Sequence, residues 1–117
     1  MRDMTGLIID KTDLGNDWIS LSISGEIDLA TVDQLEKDLK ECQESGSGNL
    51  VVDLTGADFM DSSGLRCLVM ADRSYREAGR RFALVVENGP ISRLIELSGV
   101  EATIEVVASI EELSSSL

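Results

Sequence analysis

Val51-Val52-Asp53-Leu54-Thr55-Gly56-Ala57-Asp58-Phe59-Met60-Asp61-Ser62-Ser63-Gly64-Leu65 is the stretch whose reading decides the fold. With Leu50 it opens as a short apolar run, the pattern of a central strand covered on both faces. The residues between Leu54 and Asp61 read as a loop. Asp61, Ser62 and Ser63 then stand at the mouth of a helix that carries Leu65, Leu68, Val69 and Met70. Asp and Ser are favoured N-caps, each contributing about 1 kcal/mol. One cap needs only one such residue, so three in a row imply an exposed entrance. The free N–H groups and the dipole of such an entrance attract anions. A serine there can cap the helix or carry a phosphate, and local chemistry leaves that choice open for Ser62 and Ser63.

The same strand-then-helix pattern extends in both directions. Leu7-Ile8-Ile9 and Trp18-Ile19-Ser20-Leu21-Ser22-Ile23 read as strands, the second with strict alternation. Asp13-Leu14-Gly15-Asn16-Asp17 is turn chemistry, which makes the two an antiparallel hairpin. After Gly25-Glu26-Ile27-Asp28 a helix begins, with Thr31 and Gln34 as a capping box and Asp28 as an alternative cap. Val32, Leu35, Leu39 and Cys42 share one face of it, and Ser45-Gly46-Ser47-Gly48 ends it. The helix after Ser63 stops near Gly79. Phe82-Ala83-Leu84-Val85-Val86 is a buried strand. Asn88-Gly89-Pro90 starts a helix whose apolar side is Ile91, Leu94, Ile95 and Leu97, with Gly99 at its end. Ile104-Glu105-Val106-Val107 is a last strand. Ser109 and Glu112 frame a short final helix as a second capping box, and Ser114-Ser115-Ser116 reads as a frayed tail.

The order is therefore β-β-α-β-α-β-α-β-α, an α/β fold. Its β-α-β units demand right-handed crossovers and a mostly parallel sheet, with an antiparallel N-terminal edge. The 117 residues suit a single domain, 1–117, able to bury about two-thirds of its unfolded surface. Trp18, Tyr75, Phe59 and Phe82 are the whole aromatic complement, so the core is expected to be aliphatic and stacking platforms for bases are few.

Charge narrows the partners. The formal net charge of −12 repels a phosphate backbone, which argues against direct nucleic-acid binding, and it disfavours anionic membranes. Cys42 and Cys67 are far apart, both in apolar helical stretches, and read as buried, reduced thiols. The chain has no histidine, which removes the usual zinc sites and the usual hydrolase base, and no metal or cofactor is expected. Asp53 at a strand end invites comparison with phospho-accepting receiver domains. Those also need a lysine near the last strand, and lysine occurs only at 11, 37 and 40. Without a catalytic constellation, the chain is expected not to be an enzyme. Absence of a charged-then-apolar leader, and of any apolar run near 18 residues, suits a soluble cytoplasmic protein.

Leu54-Thr55-Gly56-Ala57-Asp58-Phe59-Met60-Asp61-Ser62-Ser63-Gly64-Leu65 resembles the signature of anti-sigma factor antagonists of the STAS domain family. Ile23-Ser24-Gly25-Glu26-Ile27-Asp28-Leu29-Ala30-Thr31 resembles that family's first-helix entrance, and Ile91-Ser92-Arg93-Leu94-Ile95-Glu96-Leu97-Ser98-Gly99-Val100 its third-helix segment. The resemblance implies the STAS fold and a partner-switching role. The second serine of D-S-S-G, here Ser63, would be phosphorylated by an anti-sigma factor that is also an ATP-dependent serine kinase. The unphosphorylated form would bind that factor and release a sigma factor, and a serine phosphatase would reset the switch. Asp28 and Asp61 match acidic positions near that family's partner-binding face, and Ser62, Ser63, Gly64 and Arg66 are expected to bind the partner with them, with Ser62 and Asp61 left as caps.

The residues add two expectations of their own. Arg66 sits three residues after Ser63, close enough on a helix to hold or screen a phosphate. Arg66, Arg73, Arg76 and Arg80 lie near one helical stripe, which is either a solvated face or a meeting place for an acidic partner surface. A non-enzymatic STAS scaffold subunit of a stress-sensing or transport-regulating assembly is the alternative role. The exposed edge of the opening hairpin could support a weak homodimer.

Overall fold

The computed structural model describes residues 6–115. Five strands form one sheet in the order β1-β2-β3-β4-β5. They are β1 (Ile8–Gly15), β2 (Trp18–Ile27), β3 (Asn49–Met60), β4 (Phe82–Val85) and β5 (Glu105–Val107). The helices are α1 (Val32–Ser45), α2 (Ser62–Glu77), α3 (Pro90–Ser98) and α4 (Ile110–Ser115), with one 3-10 turn at Val100–Ala102. β1 and β2 pair antiparallel, and every later pair is parallel. The α/β architecture and its element order match the sequence reading.

Sequential strand order places the helices. Successive right-handed crossovers that all step the same way across a sheet leave their helices on one face. The main core shows this: Leu35, Leu39 and Cys42 of α1, Leu65, Leu68 and Tyr75 of α2, and Ile91 and Ile95 of α3 pack with Leu21, Ile23, Leu50, Val52 and Leu54. On the opposite face Trp18, Val51, Ala83 and Val85 are covered by Leu113 of α4. Val51 and Val52 thus point to opposite sides, as the period of two in a strand requires. The core is mainly aliphatic, with Trp18, Tyr75 and Phe82 also buried.

Several local expectations are corrected. β3 does not end at Leu54 but continues to Met60 through the stretch read as a loop. Pairing to β2 carries it, with Ser24 opposite Gly56 and Ile27 opposite Met60 across two irregularities in register. The hairpin turn is tighter than its polar sequence suggested: β1 runs to Gly15, and Asn16 and Asp17 take positive φ of 52° and 66°. Thr31 and Gln34 do not form a capping box. Thr31 Oγ1 donates to Glu26 O at 2.7 Å and accepts Asp28 N–H, while the Gln34 amide bridges both backbone groups of Leu7. At the start of α4, Glu112 Oε2 accepts the N–H of Ala108 at 2.9 Å, and Glu112 N–H donates to Ser109 O at 3.2 Å.

Surface positions also differ. Leu97 is 81% exposed and Met70 53% exposed, so neither joins its helix's core face. Both cysteines are free, but only Cys42 is buried, and Cys67 is partly open to solvent. Ser114 and Ser115 are helical rather than a frayed tail. Ser116 lies outside the described residues.

Candidate functional site

The site forms where two parallel strands end together. The last β2–β3 pair is Ile27 with Met60, so Asp28 and Asp61 leave the carboxyl edge of the sheet side by side. Asp61 N–H donates to Ile27 O at 3.0 Å and locks the two exits together. The crevice outside the carboxyl ends of parallel strands is the usual place for binding in α/β sheets.

Asp61 is the N-cap of α2. Its Oδ1 accepts the N–H of Ser63 at 2.9 Å, the N–H of Gly64 at 3.3 Å and the Ser63 hydroxyl at 2.5 Å. These bonds favour the ionised carboxylate. The Ser63 hydroxyl is the largest influence and holds the Asp61 pKa below its ordinary value; burial opposes it as the second, and backbone N–H groups of Gly64, Ser63 and Leu29 each add a lesser lowering. Of the three polar residues at the entrance, Asp61 is thus the cap. Ser62 is exposed at the first helical position, and Ser63 is partly exposed with its hydroxyl held toward Asp61.

Gly64 has a steric reason to be glycine. A Cβ there would sit 2.5 Å from Ile27 Cγ2 and 2.8 Å from Met60 Cγ. The helix entrance therefore lies directly on the ends of β2 and β3, and Gly64 is buried behind exposed Ser62 and partly exposed Ser63. Asp28 is built differently. Its Oδ1 accepts Ala30 N–H at 3.0 Å, and its carbonyl accepts the N–H groups of Thr31 and Val32, turning the chain into α1. Leu29 is lifted into solvent by that turn, 79% exposed.

A groove of about 590 Å³ runs from this entrance along the seam between α1 and α2. Ser63 and Arg66 line one end, Gln43 and Ser74 the other, and Leu29, Val32, Cys67 and Met70 give it apolar walls. Arg66 is exposed and makes no hydrogen bond or ion pair among the described residues, so its guanidinium is free to meet an anion. Burial pushes the Cys67 thiol up to about 11, so it stays protonated at neutral pH.

The other arginines of the expected stripe are mostly in use. Arg76 Nε pairs with buried Asp72 at 2.9 Å. Arg80 lies over the Tyr75 ring and donates to the carbonyls of Gly48 and Gln43. Arg81, outside the stripe, lies over Trp18 and pairs with Glu105. Of the stripe, Arg66 and Arg73 are the two left without such a partner among the described residues. Asp53, the receiver-like acid, is spent on Thr55, whose N–H and hydroxyl both reach its Oδ1. Among the described residues no group of three or more His, Cys, Asp and Glu could hold a metal, and no helix is long and apolar enough to cross a membrane.

Comparison with known proteins agrees with the architecture. The STAS domain model matches residues 9–113. The chain belongs to the STAS domain family. Among curated STAS relatives, the anti-sigma-B factor antagonist of Listeria monocytogenes is 31% identical over 98 residues, covering 84% of this chain and 86% of that protein. An anti-sigma factor antagonist from Mycobacterium paratuberculosis shares the STAS fold with a TM-score of 0.85 at 23% identity, covering 99% of this chain and 97% of that one. The Bacillus cell fate determinant SpoIIAA in its phosphorylated form superposes with a TM-score of 0.66 at 15% identity, covering 94% and 100% of the two chains. Sequence reasoning missed the apolar wall of this STAS site and, outside the groove, one buried acid of α2. Leu29 and Met70 gave a signal, as large apolar residues outside the core periodicity, but it was absorbed into the helix reading of Met70. Asp72 gave none, since its burial depends on Arg76 reaching back one turn.

Proposed function

We propose that this STAS domain is an anti-sigma factor antagonist. It binds a cognate anti-sigma factor, releases a sigma factor, and is switched off by phosphorylation of Ser63. The observation that carries the reading is the Ser63 hydroxyl held against Asp61 at the open mouth of an apolar groove. The anti-sigma-B factor antagonist of Listeria monocytogenes, at 31% identity, supports the same role.

The chemistry is that of a substrate, with nucleotide bound by the partner. The hydrogen bond to Asp61 fixes the Ser63 hydroxyl proton and turns the Oγ lone pairs outward. A kinase partner would break the bond between the β and γ phosphates of ATP, form an Oγ–P bond, remove the Oγ proton to its own base, and release ADP. A serine phosphatase would hydrolyse that bond. Asp61 is a poor base in its own right, because its neighbours favour the charged form.

Phosphate on Ser63 adds about −1.5 to −2 charge at neutral pH. The helix entrance tolerates it, since N–H groups and dipole are already directed there. An interface does not: the group is bulky, must be desolvated, and stands against Asp61, with Asp28 at the neighbouring strand end. Loss of about 3 kcal/mol of binding is roughly a hundredfold in affinity. The switch therefore works by breaking an interface and spares the fold. Incubation with a cognate anti-sigma factor kinase and ATP, followed by peptide mass spectrometry, tests it. Phosphate on Ser63, lost in Ser63→Ala, is the expected result; binding without phosphate transfer would refute the switch.

A further inference from the structure

We propose that the outer edge of β1 docks a second copy of this chain, antiparallel, with Lys11 opposite the partner's Asp13 and Thr12 opposite the partner's Thr12. β1 is the first strand of the sheet, so one row of its backbone N–H and C=O groups faces away from β2. None of its eight residues is buried, and Ile8 and Leu14 are 55% and 38% exposed. Such an edge is a template for another strand unless its side chains forbid the pairing.

The side chains select a register. Alternate residues of an edge strand direct their backbone groups outward, so only positions of the same parity can face each other across a two-fold axis. Centring the axis on Asp10 sets Asp10 against the partner's Asp10. Centring it on Lys11 sets two lysines face to face, and centring it on Asp13 sets two aspartates face to face. Like charges directly opposite are unfavourable. Centring it on Thr12 removes every such clash and creates two Lys11–Asp13 pairs, one on each side of the axis. The charges of β1 thus exclude the neighbouring registers and favour this one.

Both partners of that pair are available. Lys11 is exposed and shares a shallow cleft with Asp38 and Glu41, yet forms no ion pair with either. Asp13 uses Oδ1 to accept Gly15 N–H at 2.9 Å, leaving Oδ2 for the lysine. The irregularity of β1 lies between Asp13 and Gly15, beyond the central pairs. Pairing would join two five-stranded sheets into one, and none of Asp28, Asp61, Ser62 and Ser63 lies on β1. The interface is small and the chain carries a net charge of −12, so the dimer is weak and concentration-dependent.

Two measurements test it at fixed ionic strength. Sedimentation velocity across ~10 µM to ~1 mM chain should show reversible dimerisation. Lys11→Asp should weaken it about tenfold or more, and Lys11→Asp combined with Asp13→Lys should restore it by exchanging the two charges. Mild oxidation should cross-link Thr12→Cys through position 12 and leave Lys11→Cys largely monomeric, a readout that survives any disturbance of the turn by Asp13→Lys. A chain that stays monomeric throughout, a charge exchange that fails to restore dimers, or Lys11→Cys cross-linking as fast as Thr12→Cys would overturn the proposal.

Discussion

The Ser63 hydroxyl donates to Asp61 Oδ1 at 2.5 Å, and the same oxygen caps α2 through the N–H groups of Ser63 and Gly64. One carboxylate thus both starts the helix and orients the hydroxyl proposed to be modified. The two roles can be separated by substitution.

Asp61→Ala removes the cap and should destabilise the fold by about 1 kcal/mol, within the usual 0.5–2 range for such caps. Urea unfolding with an unchanged m-value is the measurement. Ser62→Ala, at an exposed position outside the cap, should stay within about 0.5 kcal/mol of wild type.

Ser63→Ala removes the largest influence that lowers the Asp61 pKa. The Asp61 carboxyl should then titrate closer to the ordinary aspartate value, followed by NMR. Phosphorylation or Ser63→Asp should raise it further, because a like charge replaces a donor. The sign for stability follows from linkage. A carboxylate whose folded pKa lies below its unfolded one contributes stability above the unfolded value, and that contribution is lost as pH falls through the folded value. Wild type should therefore show a loss of stability below the ordinary aspartate range that is smaller in Ser63→Ala.

Gly64→Ala sets two effects against each other. Alanine improves helix propensity by about 1 kcal/mol. Its Cβ, however, would collide with Ile27 Cγ2 at 2.5 Å and Met60 Cγ at 2.8 Å. Met60 can turn aside, but Ile27 is fully buried. Overpacking of this kind costs about 1–3 kcal/mol. A net loss of stability is expected, with Ser63 phosphorylation slowed because the entrance is pushed off the strand ends.

Arg76→Ala should cost more than a surface arginine normally does. Asp72 is 2% exposed, and Arg76 bonds to it one turn away. Removing the arginine leaves a buried carboxylate poorly satisfied, an effect of about 1–3 kcal/mol. Arg73→Ala, on an exposed position of the same helix, is the control and should change stability by less than about 0.5 kcal/mol.

Leu29→Asp and Met70→Glu probe the groove. Both side chains are exposed, so thermal stability should hardly move, while affinity for a cognate anti-sigma factor should fall at least about tenfold. Calorimetric titration checks the second expectation and thermal unfolding the first.

Periodicity carried most of the architecture. Val51 and Val52, Ile19 and Leu21, and the α1 set of Leu35, Leu39 and Cys42 all announced their faces, because burial there follows simple strand and helix repeats. The failures have one physical source, which is tertiary pairing overriding local signals. Gly56 and Ala57 sit in a loop-like stretch, yet Ser24 and Gly25 of β2 pair with them and the strand continues past the unpaired Asp58 to Phe59 and Met60. Thr31 and Gln34 have the spacing of a capping box, yet Glu26 and Leu7 offer better partners from elsewhere in the fold. At the site, the sequence left Asp61 and Ser62 both as caps, and the structure selects Asp61; that Asp28 stands beside it was implied only by the family resemblance. The groove was not legible, because it depends on how α1 and α2 settle against each other.

The central claim is that a phosphate on Ser63 breaks binding without unfolding the protein. Calorimetric titration of a cognate anti-sigma factor with wild type, before and after complete phosphorylation at Ser63, tests it most directly, with circular dichroism run on both forms. The account predicts an affinity lower by about a hundredfold, roughly 3 kcal/mol, with unchanged helical and strand signals. Equal affinity of the two forms, or lost affinity accompanied by lost structure, would contradict it.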